Sequence, residues 1–318
     1  MTPTTNEDNS RVRKVVVAED EAGQRIDNFL ARQLRGVPRS FIYRILRRGE
    51  VRVNSGRVSA QYRLQPGDTV RIPPARQSQG STSQVPPRSG LNLDQYILAE
   101  TERYLVLNKP SGMAVHGGSG LSYGIIESLR AARPDAPYLE LAHRLDRETS
   151  GCLLLAKRRS FLRFFQQHLR EGRVIKRYLA LLAGHWRGGA ETVDVALRKY
   201  QLQGGERRVQ VDSGAGKAAI TVFRTVEAFP QATLVEAELH TGRTHQIRVH
   251  AAHLGYPLAG DEKYGNREAN RRFRALGLRR MFLHAHWLEF EDPVSHERVA
   301  VNSPLPAELR NVLDKLEE

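Results

Sequence analysis

Residues 141–160 read LAHRLDRETSGCLLLAKRRS. A polar segment, HRLDRETS, separates the apolar LELA from the apolar run GCLLLA, and a basic helical pattern follows. A short apolar run bounded by polar residues predicts a buried strand, and the spacing after it predicts a helix over 158–171. A polar loop held at both ends by strands is where a fold commonly presents chemistry. Asp146 stands at its centre between Arg144 and Arg147. Two positive neighbours would keep a carboxylate ionised, which suits a base or a nucleophile. A loop aspartate that caps a turn or pairs with either arginine meets the same spacing, so the residue types alone leave both readings open.

Outward from this stretch, YLVLN, RYLALLAG, TLVEAEL and FLHAHWLEF predict further strands, and 244–254 predicts another helix. Strands and helices mix irregularly, with no internal repeat. That pattern predicts an α+β fold with a mixed, mainly antiparallel sheet rather than a doubly wound one. At 318 residues and 40% apolar, the chain is long enough for a large domain and a small one. No apolar run approaches the roughly 20 residues that cross a bilayer, and the start MTPTTNEDNS lacks signal-peptide order. The expectation is a cytoplasmic monomer with no membrane partner. The lone Cys152 excludes an intramolecular disulfide and a multi-cysteine zinc site, and within GCLLLA it reads as a small buried hydrophobe with a raised pKa.

The formal charge of +14 points to a polyanion. Between Arg25 and Arg76 there are twelve arginines against three acids. The planar guanidinium fork matches phosphate better than an ammonium does. Ile26, Phe29, Leu30 and Leu34 recur at helical spacing, and a second helix is predicted from Pro38 to Gly49. Its apolar stripe is Phe41, Ile42, Ile45 and Leu46, while Arg44, Arg47 and Arg48 form another face and Arg39 lies in its first turn. VRVNSGRVS predicts a hairpin turning at Asn54 to Gly56, and LQPGDTVRI a turn into a last strand. PPARQSQGSTSQVPPRSG cannot build a core. The expected division is a flexible N-terminus over 1–23, a small domain over 24–74, a linker over 75–91 and a large domain over 92–318.

Other motifs carry less. Histidines 245, 250, 253, 284 and 286 cluster late, but without an HExxH pattern or paired carboxylates at ligand spacing. SGAGKAAITVFR lacks the Ser or Thr of a phosphate loop and reads as a hairpin turn. LHTGRTHQIRVHAAHLG predicts a strand, a Thr-Gly-Arg turn and a helix whose first turns hold Arg248, able to reach back toward whatever the turn faces. VIKRYLALL places Tyr178 early in a strand.

RIDNFLARQL, SFIYRILRRGEVRVN and LQPGDTVRI together resemble the S4 RNA-binding domain over residues 24–74. HRLDRETSG, KRYLALL, TGRTHQIRVH, LNKPSGMAVH and GDEKYG, with VHGGSGLSYGIIESLR, resemble the pseudouridine synthases that modify large ribosomal RNA. The resemblance implies that Asp146 is the catalytic aspartate, Tyr178 the active-site tyrosine and Arg248 the basic partner of the aspartate. It further implies that His143 and Arg144 contact substrate, with Arg144 helping to fill the space of a flipped nucleotide, and that Leu283 packs in the pocket. Arg39, Arg44, Arg47 and Arg48 would bind RNA backbone, and the partner would be large-subunit ribosomal RNA. Isomerising uridine changes no oxidation state and adds no atom, so no cofactor or metal is expected. Two rivals remain at this level: a ribosome-binding protein without activity, and a nucleosidase that would release free uracil.

Overall fold

The computed structural model describes residues 11–34, 37, 39–75, 92–117, 124–136, 138–186, 188–202 and 206–317. The chain divides into two compact units, residues 1–91 and 92–318.

In the first unit, β1 (Arg13–Val16), β2 (Arg52–Val53) and β3 (Thr69–Ile72) form an antiparallel sheet in the order β1-β3-β2. Helices α1 (Ile26–Gln33) and α2 (Arg39–Arg48) close its core, where Phe29, Leu30, Ile42, Ile45 and Val70 are buried. Gly49, at φ 69°, ends α2: its amide donates to Leu46 and that of Glu50 to Ile45. Pro38, expected in the first turn, lies outside the described residues.

Two expectations for this unit need correction. Residues 1–23 are not all a flexible terminus, because β1 pairs with β3 along its whole length through Arg13↔Ile72 to Val16↔Thr69. Val15 and Val17 meet the core while Lys14 and Val16 face outward, a short pattern lost in the polar start. The Asn54 to Gly56 turn exists, with Asn54 and Ser55 at positive φ, but no returning strand follows it. Asn54 instead bonds Thr69 and Asp68, so the turn is anchored to β3 and β2 pairs there too.

The second unit is built on β4 (Ile97–Glu100), β5 (Tyr104–Lys109), β6 (Glu140–Leu141), β7 (Ser150–Ala156), β8 (Ile175–Ala183), β9 (Ala190–Asp194), β10 (Leu197–Gln201), β11 (Arg207–Val211), β12 (Ile220–Ala228), β13 (Ala232–Leu239), β14 (Leu283–Glu291) and β15 (Arg298–Asn302). Its helices are α3 (Ile125–Ala132), α4 (Arg159–Arg170), α5 (Gln246–His253), α6 (Arg267–Ala275) and α7 (Ala307–Glu317). Among the described residues, ten of these strands form one sheet, β4-β5-β7-β14-β8-β13-β12-β9, with β15 on β14 and β6 on β7, while β10 and β11 pair separately. All its pairings are antiparallel except that of β7 with β14, so the architecture is α+β as the pattern predicts.

GCLLLA runs down the middle of this sheet, and every residue of β7 is buried. Leu153 and Leu155 face a core that includes Ile125 and Leu129 of α3, and Cys152, Leu154 and Ala156 face one that includes Phe161 and Phe165 of α4. A strand covered on both faces reads as an unbroken apolar run. Where this central strand begins, the polar loop from β6 arrives.

Candidate active site

Asp146 lies on that loop, and its side chain, 22% exposed, lines a cavity of about 210 Å³. The volume falls below the roughly 300–1,000 Å³ of typical small-molecule pockets, so the site suits one nucleoside rather than a base-paired helix. His143, Arg144, Tyr178, Arg248 and Leu283 all line the same cavity.

The loop is pinned from several sides. The amide of Thr149 donates to the Asp146 carbonyl at 3.1 Å, closing a turn. The fully buried Lys109 ammonium donates to the carbonyls of Pro110, Met113 and Arg147 at 2.7 to 2.9 Å, tying the turn after β5 to the aspartate loop. Ser111 Oγ reinforces this by donating to Glu148 at 2.7 Å. His143 also holds the loop: Leu154 N–H donates to its Nε2 at 3.0 Å. Burial first, and the neighbouring Lys176 second, push the His143 imidazole down to about 4.

Among the described residues neither flanking arginine, which the spacing offers as a pairing partner beside the catalytic reading, makes an ion pair with Asp146. Arg147 Nε turns to Glu148 at 2.8 Å, and Arg144 is exposed at the cavity. The cation near Asp146 comes instead from α5, where Arg248 Nη1 stands 3.6 Å from Oδ2. Arg248 is bound more tightly elsewhere, with Nε and Nη2 bonding the Asp261 carboxylate at 2.7 and 2.8 Å. The Arg248 guanidinium also lies 5.0 Å from the Tyr264 ring centroid.

Helix α5 reaches the cavity because the Thr-Gly-Arg turn is stapled in place. Gln246, buried, accepts from Thr241 Oγ1 and the Arg243 amide, and donates to Ile220 and Thr221 on β12. His245 precedes the helix in the left-handed region, φ 54° and ψ 22°, a conformation that costs a non-glycine residue on the order of 1–3 kcal/mol. Its Nδ1 meets Tyr264 Oη at 2.8 Å and its Nε2 lies 3.8 Å from Asp146 Oδ2. Burial pushes this imidazole down to about 4, against the pull of the Asp146 charge.

Tyr178, the fourth residue of β8, is 7% exposed. Burial, then the charge of Asp146, raises its phenol above the ordinary tyrosine range, so the hydroxyl stays protonated at neutral pH. Leu283, opposite Ala180 in the register, adds an apolar wall. In the first unit, Arg44, Arg47 and Arg48 are exposed on α2, while the side chain of Arg39 is outside the described residues.

The late histidines disperse. His284 bonds Ser150 and the Ser303 carbonyl, His286 bonds Glu236, and His250 bonds the Val195 carbonyl. Cys152 is buried, and burial pushes its thiol up to about 12. Sequence reasoning missed Asp261, which reads as a turn residue in GDEKYG, and Lys176, although it lies two residues before Tyr178 on the same strand face. His245 stood out only as one histidine among five.

Comparison with known proteins accounts for both units. The model of the RNA pseudouridylate synthase family matches residues 103–253, and that of the S4 domain matches residues 24–70. The chain is 52% identical over 314 residues to ribosomal large subunit pseudouridine synthase C of Pasteurella multocida (strain Pm70), covering 98% of this chain and 95% of that protein. It is 51% identical over 309 residues to the protein of the same name from Escherichia coli (strain K12), covering 96% and 97%. Among solved structures, human RNA pseudouridylate synthase domain containing 4 superposes with a TM-score of 0.59 at 27% identity, covering 71% of this chain and 94% of that one. At such identity over nearly its full length, the chain belongs to the family of ribosomal large subunit pseudouridine synthases and carries an S4 domain ahead of its synthase unit.

Proposed function

We propose that the protein isomerises uridines to pseudouridine in large-subunit ribosomal RNA, with Asp146 as its catalytic carboxylate. The observation that carries this reading is that Asp146, Tyr178 and Arg248 line one cavity of nucleoside size. In the reaction the N1–C1′ bond breaks, the uracil turns, C5 bonds to C1′, C5 gives up its proton and N1 gains one. An ionised aspartate has three ways to start it: attack at C1′, attack at C6 of the base, or removal of the 2′ proton. Each requires the carboxylate charged and close to the nucleoside, in a site drier than water. A buried anion needs a counter-charge, and Arg248 supplies it.

Tyr178 offers a flat face for the uracil, and its neutral hydroxyl can relay the C5 proton, handing its own proton to a water molecule as it takes that one, without first ionising. Arg144, exposed at the cavity, takes the space that the flipped nucleotide leaves; Leu283 packs against the base, and His143 holds the loop beneath it. Flipping costs a few kcal/mol. The arginine face of α2 offsets this by binding RNA backbone, a salt-dependent and largely sequence-blind contribution. No described helix is long and apolar enough to cross a membrane. We place the protein in the cytoplasm, working as a monomer.

The test uses large-subunit ribosomal RNA tritiated at uracil C5. The native protein should release tritium, and Asp146→Asn should release it at least about 10²–10⁴-fold more slowly. Free uracil among the products would instead indicate a hydrolase, and release by Asp146→Asn at the native rate would remove the carboxylate from the chemistry.

A further inference from the structure

Lys176 and Tyr178 are the second and fourth residues of β8, so the two-residue period of a strand puts their side chains on one face. Both line the cavity. Lys176 is only 7% exposed, and among the described residues its ammonium meets no carboxylate, carbonyl or hydroxyl. Its stem is buried while the Nζ itself is not sealed off from the cavity, so the ammonium has lost most of its hydration without gaining a partner, and a fold with no use for the charge is better served by methionine or leucine. Lys109, the other buried lysine near this loop, has three carbonyls. Lys176 has none.

The surroundings are open to an anion. A Cβ at Gly242 would stand 3.9 Å from Lys176 Nζ, so the glycine of the Thr-Gly-Arg turn leaves that approach uncrowded. His143, on the neighbouring loop, is neutral and offers no counter-charge. Asp146 already has Arg248 and His245 within 4 Å. Burial alone draws the Lys176 amine down to about 8, which keeps it mostly protonated at neutral pH.

We propose that Lys176 contacts substrate, its ammonium taking an anionic oxygen of the target nucleotide inside the cavity. The inference rests on the reading that this cavity receives a uridine of RNA. Two parts of the nucleotide present such an oxygen. One is the backbone phosphate beside the flipped uridine. The other is the uracil itself: when the N1–C1′ bond breaks, the electron pair goes to N1 and spreads onto O2 and O4, until C5 bonds to C1′.

The experiment compares the full chain with Lys176→Met and Lys176→Gln, measuring thermal unfolding, RNA affinity across a salt series, and single-turnover tritium release at saturating enzyme. Both variants should unfold at or above the native temperature, because no internal partner is lost, and overall efficiency should fall about 10- to 100-fold. If the ligand is the phosphate, the loss lies in Kd, and the slope of log Kd against log salt becomes shallower by about 0.7. If it is the uracil, Kd holds and the single-turnover rate falls. Native Kd and native rate together would overturn the inference. So would destabilisation of both variants, which would make Lys176 a structural residue. No tritium release from the native protein would instead count against the reading of the function.

Discussion

Arg248 grips Asp261 through two parallel hydrogen bonds, Nε to Oδ2 at 2.7 Å and Nη2 to Oδ1 at 2.8 Å. Asp261 is fully buried, and its Oδ1 also accepts the amides of Lys263 and Tyr264. The guanidinium is thereby fixed, with only Nη1 left toward Asp146 at 3.6 Å. One arginine thus serves two acids, a tight structural partner and a looser one in the cavity.

Asp261→Asn should therefore act on both stability and chemistry. Leaving Arg248 without its charge partner is expected to cost about 3–5 kcal/mol. Burial pushes the Asp261 carboxyl up, but the Arg248 bonds and the two amides outweigh it and hold the pKa below the usual range. The stabilisation it gives is present at neutral pH and is lost as pH falls from about 3.9 through that lower folded value. Urea midpoints should drop less steeply below about pH 4 in Asp261→Asn than in the native protein. An equal slope in the two would mean that this acid does not contribute to acid unfolding.

Tyr178→Phe keeps the ring and removes the hydroxyl. RNA affinity should remain native, while tritium release slows by about 10²-fold or more if the hydroxyl handles the C5 proton. Release at the native rate would leave the residue as a stacking surface alone.

Arg44, Arg47 and Arg48 are exposed on α2, and among the described residues Arg48 has only a loose 3.8 Å ion pair to Glu50. Replacing all three by alanine should weaken binding and make the slope of log Kd against log salt shallower by up to about 2. At saturating enzyme the single-turnover rate should be native. A rate that falls with affinity intact would place these arginines in the chemistry.

Gly151, the second residue of β7, sits at φ 109°, and a Cβ there would collide with the Ala285 backbone across the parallel join to β14. Gly151→Ala should destabilise the second unit by about 2–4 kcal/mol, read as a lowered urea midpoint. A midpoint unchanged from the native one would show that the two strands can separate locally without harm.

The fold class was legible because unbroken apolar runs such as GCLLLA mark strands covered on both faces. The sheet order was not. The partner of Ser150 is His284, 134 residues away, and nothing local in either segment encodes that pairing. At the site, resemblance singled out Asp146, Tyr178 and Arg248 together, because each lies in a dense motif. Asp261 escaped, since an aspartate after glycine reads as a turn, and its burial depends on an arginine 13 positions earlier. Charge reading misjudged Arg147, because adjacency in sequence does not make adjacency in a loop: its side chain found Glu148.

The one thiol of the chain lies in the middle of all this. Cys152 is 2% exposed, its S–H directed at the Val301 carbonyl 3.5 Å away, and its pKa is pushed up to about 12 by burial. A maleimide or iodoacetamide added to the folded protein must wait for β7 to come free before it can react. The labelling rate is therefore a stopwatch on the opening of the central sheet, with one possible adduct per molecule and no mutation needed to install the probe. If RNA in the cavity clamps the aspartate loop that leads into β7, that stopwatch should slow, turning an inert buried sulfur into a direct report of substrate engagement.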